Sequence, residues 1–344
     1  MVAKLKDINE VKLDYNDVLI VPQFSNIDSR KKVNIDYNPI IASNMDGVGT
    51  FQMAEVLAKY GAYTTIIKHY TYNDWAKFIV KANPTTLNYI FISSGILPED
   101  IKLAQAIGLL MFEEHEIYPK FCIDVANGYM DQFYEAVANL KKQSPNSIIM
   151  AGSVVTSKAV RRLEDAGADM VKVGIGSGAV CTTRIKTGIG YPQLSAIVEC
   201  AEESKSSSII ADGGITCVGD IAKAIGAGAK YVKLGSMLAG HDEGGQEVIT
   251  KEDKQYVEFY GMSSRTAQEK HKGYLASYRS SEGRTILIPY KGPVKAMMED
   301  ILGGLRSTCA YVGSQRLSQL HLYTEFIRVN NQYNRSMEPY TVSL

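Results

Sequence analysis

Eight short apolar runs, rich in Ile and Val, alternate with helix-like stretches along most of the chain. They lie near Pro39–Ser43, Tyr63–Ile67, Tyr89–Ser93, Phe121–Asp124, Ser147–Ala151, Met170–Val173, Ser208–Ala211 and Tyr231–Leu234. They start about 20 to 40 residues apart. Most are apolar on both faces, as parallel strands covered by helices must be. The stretches between them carry helical spacing: Ala159, Val160, Leu163 and Ala166 in one, Leu194, Ile197, Val198 and Ala201 in another. Gly61, Gly167 and Gly226 follow such stretches, where a left-handed cap favours glycine. Eight strands alternating with helices predict an α/β fold, a single-domain (β/α)8 TIM barrel over residues 1–344. A doubly wound open sheet is the alternative. GADMVKVG at Gly167–Gly174 and GAKYVKLG at Gly228–Gly235 match at five of eight positions, which suggests two units of one design with related, phosphate-facing loops.

Composition narrows what such a barrel does. Lys+Arg and Asp+Glu both number 37, so the net charge is zero. A balanced chain has no global attraction to nucleic acid or to an acidic membrane surface. No apolar run approaches the ~18 residues that span a bilayer. The charged start, MVAKLKDINEVKLDYNDV, has no secretory h-region. The cysteines at 122, 181, 200, 217 and 309 form no C-x-x-C pair. Such a set reads as reduced cytoplasmic thiols, not a disulfide framework or zinc site. Two segments break the rhythm, Gly- and Thr-rich 174–191 and polar 240–293. Both are expected to be mobile loops, the second a lid.

In a barrel, chemistry sits at the C-terminal strand ends. There the chain carries Asn44-Met45-Asp46, Lys68-His69, Asp124 with Asn127, GIGSGAVCTTR, Asp212-Gly213-Gly214 and Gly235-Ser236. Any one of these is ordinary turn chemistry; together they mark one face. Cys181 lies outside any apolar periodicity, unlike Cys122 and Cys200, and polar, cationic neighbours favour a thiolate nucleophile. Its bland reading is an inert loop thiol. Gly174-Ile-Gly176-Ser-Gly178-Ala179 satisfies the loose G-x-G-x-x-A pattern, but VCTTRIKTGIGYP is a poor helix, so a pyrophosphate-binding turn of that kind fails. Exposed amides or carbonyls facing a phosphate or cation fit better. Asp212-Gly213-Gly214 and Gly235-Ser236 let backbone amides approach a phosphate. Lys68-His69 suits a phosphate or carboxylate, although a lone His is more often structural. Glu282 and Tyr260-Gly261-Met262-Ser263 read, unaided, as lid surface and loop.

As a set, DYNDVLIVPQFSNIDSR, PIIASNMDGVGTFQMA, GIGSGAVCTTR, ADGG, KLGSMLAGHDEG, FYGMSS and DILGGLRSTCAYVG resemble the inosine-monophosphate dehydrogenase and guanosine-monophosphate reductase family, from about Leu13 to Val329. KHY at Lys68–Tyr70, CIDVANGY at Cys122–Tyr129, GMSS and YRSSEG at Tyr278–Gly283 resemble the reductase branch. No regulatory insert is present. Val21-Pro22-Gln23 leans to the dehydrogenase, which oxidises IMP to XMP with NAD; a non-catalytic nucleotide-binding scaffold is the reading from another class. The resemblance to the reductase branch implies conversion of GMP and NADPH to IMP, ammonia and NADP in purine salvage, through a thioimidate on Cys181. It implies Thr183 and Glu282 as the acid–base pair. Asp212, Gly213, Gly214, Gly235 and Ser236 would hold ribose and phosphate; Gly261, Met262, Ser263, Arg279 and Gly283 would surround the base. Lys68, Asp124, Val125, Ala126 and Tyr278 would face the cofactor, with Ser307 to Ala310 reaching a neighbour's in a homotetramer. Carbonyls of Gly176, Gly178 and Cys181 would offer a potassium site. Two departures stand out. The family's GPGS reads Gly176-Ser177-Gly178-Ala179 here, placing Ala179 where a phosphate-touching serine is expected, with Ser177 a candidate substitute. Arg265 stands where reductases often carry Glu.

Overall fold

The computed structural model describes residues 11–273 and 280–330. Eight parallel strands close into a barrel: β1 (Ile40–Ala42), β2 (Tyr63–Ile66), β3 (Ile90–Ser94), β4 (Lys120–Asp124), β5 (Ile148–Val154), β6 (Met170–Val173), β7 (Ser208–Asp212) and β8 (Tyr231–Leu234). Ile41 pairs with Tyr63 on one side and Lys233 on the other, which closes the ring. All eight expected strands are present, and the open sheet is excluded.

The two-residue pleat divides each strand between two cores. Phe121, Ile123, Val171, Val173 and Val232 belong to the main cluster under the helices. Ile41, Phe91, Cys122, Met150, Met170 and Ile210 fill the barrel interior, with Tyr63 and Tyr231 packed against them. Two residues further along the inward rows the side chains turn polar: Asp124 above Cys122, Lys172 above Met170, Asp212 above Ile210, Lys233 above Tyr231. An apolar plug thus carries a charged storey on the catalytic side.

The helical stretches form as expected, over Ser157–Asp165 and Gln193–Glu203. Gly61 and Gly167 are left-handed (φ 68° and 89°). Gly226 is not a cap. It lies inside helix Val218–Gly226, and the left-handed residue is Gly228 (φ 102°). A Cβ at 226 would come within 2.7 Å of the Thr324 side chain, so packing requires that glycine. Gly167 and Gly228 play the same part before β6 and β8, so the sequence echo is a structural one.

The long segment after β8 is not structureless. It forms an antiparallel sheet of β9 (Ile249–Lys251), β10 (Lys254–Tyr260) and β11 (Thr285–Pro289), with helix Arg265–Lys272 between the last two. Ser264 caps that helix by accepting from the Ala267 amide. Thr183–Thr187 forms one short helix in the other irregular segment. Strand Val18–Ile20 pairs antiparallel with Phe326–Arg328, joining the two ends of the chain. Among the described residues no helix is long and apolar enough to cross a membrane, and all five cysteines are free.

Candidate active site

Cys181 sits after β6 in a loop held from two sides. The Thr182 amide donates to the Glu282 carbonyl (2.9 Å), and the Arg284 amide donates to the Val180 carbonyl (3.0 Å). Gly283 bridges to both Cys181 and Ser264. This short pairing carries Glu282 from the flap to the loop. The Cys181 thiol lies 3.3 Å from Thr183 Oγ1, whose hydroxyl donates to Glu282 Oε2 at 2.6 Å. Thiol, hydroxyl and carboxylate therefore form one proton path. Such a path can take the thiol proton during nucleophilic attack and return it to a leaving group.

The loop opens onto a cavity of about 320 Å³, within the range of small-molecule sites. Its lining includes Cys181, Thr183 and Glu282 with Asp124, Val125 and Ala126 on one side. Gly176, Gly178, Asp212, Gly213, Gly214, Gly235 and Ser236 complete the barrel side, and Gly261, Met262 and Ser263 come from the flap. Gly213 and Gly214 are both left-handed (φ 88° and 80°), and a Cβ at 213 would meet Ser177 Oγ at 2.7 Å. The amides of Gly214, Gly235 and Ser236 have no acceptor among the described residues. They form a ready anion cradle. Ser177 lies beside it, donating to the Asp212 carbonyl at 3.0 Å, while Ala179 has no side-chain donor and its carbonyl accepts from Arg284.

Other expected residues stand elsewhere. Gly283 supports Cys181 from outside the lining. Lys68 lies in a separate small recess with Tyr70, Trp75 and Asp100. Ser307 and Ala310 are on helix Lys295–Val312, whose Thr308 and Tyr311 line a second groove. Tyr278 and Arg279 lie outside the described residues. The Gly178 carbonyl already accepts the Cys181 amide at 3.0 Å. Arg265 is exposed at the start of the flap helix.

In the charged storey beneath the cavity, the sequence pointed to Asn44, Asp124 and Asp212 but not to Lys172 and Lys233. Lys172 is fully buried; it donates to Asp124 and stands 3.8 Å from Asp212. Asn44 donates to Asp124 (3.0 Å) and accepts from Lys233; Ser153 donates to Asp212 (2.8 Å). Burial alone would raise the Asp124 carboxyl, but Lys172 and Lys233 outweigh it and hold it well below its usual range. Burial likewise opposes the Lys172 charge, and Asp124 overcomes it. The repeated VKVG/VKLG offered a signal, since both lysines fall at the same inward position.

The profile of the "IMP dehydrogenase / GMP reductase domain" matches residues 12–339. The chain belongs to the IMP dehydrogenase / GMP reductase family. It is 48% identical over 340 residues to a Vibrio cholerae serotype O1 protein named GMP reductase, covering 94% of this chain and 97% of that one. Proteins of the same name from Vibrio vulnificus and Aliivibrio salmonicida are 47% and 46% identical over the same shares.

Proposed function

We propose that the chain is a GMP reductase, converting GMP to IMP and ammonia with NADPH. The observation that carries this reading is the Cys181–Thr183–Glu282 path inside a cavity with an amide cradle at one end. The relatives' names support it over the dehydrogenase.

The phosphate rests on the Gly214, Gly235 and Ser236 amides, with Ser177 in place of the serine missing at 179. Asp212 takes the ribose, and Gly261–Ser263 cover the base, which Arg279 and Gly283 help to enclose. Cys181 Sγ bonds to purine carbon 2 while its proton passes through Thr183 to Glu282. Glu282 returns that proton to the departing amine, so ammonia leaves and a thioimidate remains on Cys181. The nicotinamide, when bound, supplies the hydride for carbon 2. Asp124, Val125 and Ala126 present a half-buried carboxylate and an apolar edge to the cavity, which would suit a ring that becomes cationic as it gives up the hydride; the cofactor would extend beyond the cavity toward Lys68 and Tyr278. Cys181 then leaves carbon 2 as a thiolate and IMP is released. No step is assigned to potassium at Gly176, Gly178 and Cys181. The protein acts in the cytoplasm as one domain whose 174–191 and 240–293 loops move, in a homotetramer where Ser307 and Ala310 meet a neighbour's cofactor.

Absorbance at 340 nm in two mixtures tests the reading. With GMP and NADPH it should fall as IMP and ammonia form. A rise only with IMP, NAD and potassium would make the protein a dehydrogenase. Cys181→Ala should abolish turnover yet still bind GMP, and Glu282→Gln should lose roughly 10²–10⁴-fold in kcat.

A further inference from the structure

A second cluster of charged and aromatic groups lies at the barrel rim, outside the cavity lining. Asp46, just after β1, has a side chain only 6% exposed. Its Oδ2 accepts from Tyr260 Oη at 2.6 Å and His271 Nε2 at 2.7 Å, with Lys270 Nζ at 3.3 Å. All three donors belong to the flap. Tyr260 ends β10; Lys270 and His271 occupy the last turn of the flap helix. From the barrel side His69 stacks on the His271 ring, centroids 3.5 Å apart and planes within 8°. Asp46 Oδ1 is buried with no partner among the described residues.

This convergence holds the chain on both sides of one short segment, at Tyr260 directly before it and at the far turn of the helix after it. Gly261, Met262 and Ser263 run between Tyr260 and the flap helix, and all three line the Cys181 cavity. The same segment holds the Glu282 strand. The Gly261 amide donates to the Arg284 carbonyl, Ser281 Oγ donates to the Ser263 carbonyl, and Ser264 bridges to Gly283. The barrel thus grips the flap at one carboxylate, and the flap in turn sets where Glu282 stands over Thr183. Asp46 does not line the cavity, so it acts only through these neighbours.

We propose that Asp46 is a positioning residue: by gathering Tyr260, Lys270 and His271 it holds the flap at the height where Met262 and Ser263 cover the substrate and Glu282 reaches Thr183. The catalytic consequence rests on the GMP reductase reading; the mechanical one does not. A carboxylate suits this task because it accepts several charge-assisted hydrogen bonds at once. Asparagine at 46 keeps the size but removes the charge and turns one acceptor into a donor facing other donors.

The test uses the full-length protein and two variants, Asp46→Asn and Tyr260→Phe. Amide hydrogen exchange followed by mass spectrometry reads the flap without any assumption about the reaction. Exchange over 256–273 should quicken at least tenfold in Asp46→Asn, and less in Tyr260→Phe, while the barrel strands keep their rates. In the GMP assay kcat should fall at least tenfold with KM for GMP within threefold, because the barrel loops that bind phosphate and ribose are untouched. Unchanged flap exchange in a variant with an intact barrel would overturn the proposal. So would faster exchange with kcat unaltered. If Asp46→Asn does not fold, the same two readouts on Tyr260→Phe decide. A wild-type protein that binds but never reduces GMP would sink the functional reading, and flap exchange would still show whether Asp46 holds the flap.

Discussion

Lys172 is fully buried, and its charge is tolerated because Asp124 and Asp212 stand beside it. Replacing it by methionine keeps the volume and leaves Asp124 with Asn44 and Lys233, and Asp212 with Ser153, but without the buried cation between them. Removing one partner of a buried pair costs about 3–5 kcal/mol, so Lys172→Met should unfold at a lower temperature. Its pH profile is more telling. In the wild type, Lys172 and Lys233 keep Asp124 ionised far into acid, against its burial. With Lys172 gone, burial dominates, the Asp124 carboxyl rises, and it protonates within the assay range. kcat/KM of the variant should then fall more steeply than that of the wild type as pH drops from 7 to 5. An acid limb that does not move would show that Asp124 does not need this lysine. Sequence reasoning reached Asp124, Asp212 and Cys181 because strand ends announce themselves. It missed Lys172 and Lys233 because a strand read as one apolar run conceals its inward row, whereas counting in twos from Met170 and Tyr231 finds both. Glu282 stands 99 positions from Thr183 and was legible only through family resemblance, since nothing local marks a flap glutamate as catalytic.

Elements were legible wherever burial is two-sided. All eight barrel strands appear in the sequence as apolar runs, and their ends shift by at most three residues. The flap strands failed that test because one face stands in solvent: along β11 the residues alternate between exposed and half-buried. A different kind of local device joins helix Gln193–Glu203 to β7. Glu164, on helix Ser157–Asp165, accepts at Oε1 from the amides of Lys205, Ser206 and Ser207 and from the hydroxyls of Ser204 and Ser207. Its carboxyl is lowered from 4.5 to about 2; burial works against this, and the donors outweigh it. The folded value lies below the unfolded one, so the stabilisation is complete above about 4.5 and is lost as pH falls toward 2. Glu164→Gln should cost about 1 kcal/mol at pH 7, allowing for solvent screening of this largely open site. Urea midpoints of variant and wild type should differ at pH 7, stay partly apart at pH 3 and draw together only near pH 2. A gap that is undiminished at pH 2 would mean the charge is not what organises the turn.

At the scale of the whole molecule the barrel has no free edge, because β1 and β8 pair. The chain's two ends are a separate matter, and they reach the catalytic loop. Among the described residues Val18–Ile20 pairs with Phe326–Arg328 alone, and the Val21 and Val329 amides extend the clasp to the Glu325 and Asp17 carbonyls. Upstream of that strand, the Tyr15 carbonyl accepts from Lys223 and the Leu13 amide donates to Ser195. Asp14 accepts from the Gln193 amide at 2.5 Å and from Arg184 at 3.2 Å. Arg184 follows Thr183 directly and also donates to the Tyr191 carbonyl, which ties down the loop beyond Cys181. Ending the chain at Glu325 removes the partner of Val18–Ile20 and leaves Asp14 at the tip of an unpaired segment. Several hydrogen bonds at about 0.5–1.5 kcal/mol each are at stake, a sizeable share of the 5–15 kcal/mol that holds a domain together. The truncated protein should melt several degrees lower. Its kcat/KM for GMP should fall several-fold, because the Thr183 loop loses its outer anchor. Asp14→Asn separates the two effects, since it weakens the Arg184 contact while keeping the clasp. It should lose activity with little change in melting temperature. If the truncated chain melts lower but turns over normally, and Asp14→Asn is silent, the clasp serves the fold alone and the catalytic loop is held by the Glu282 side.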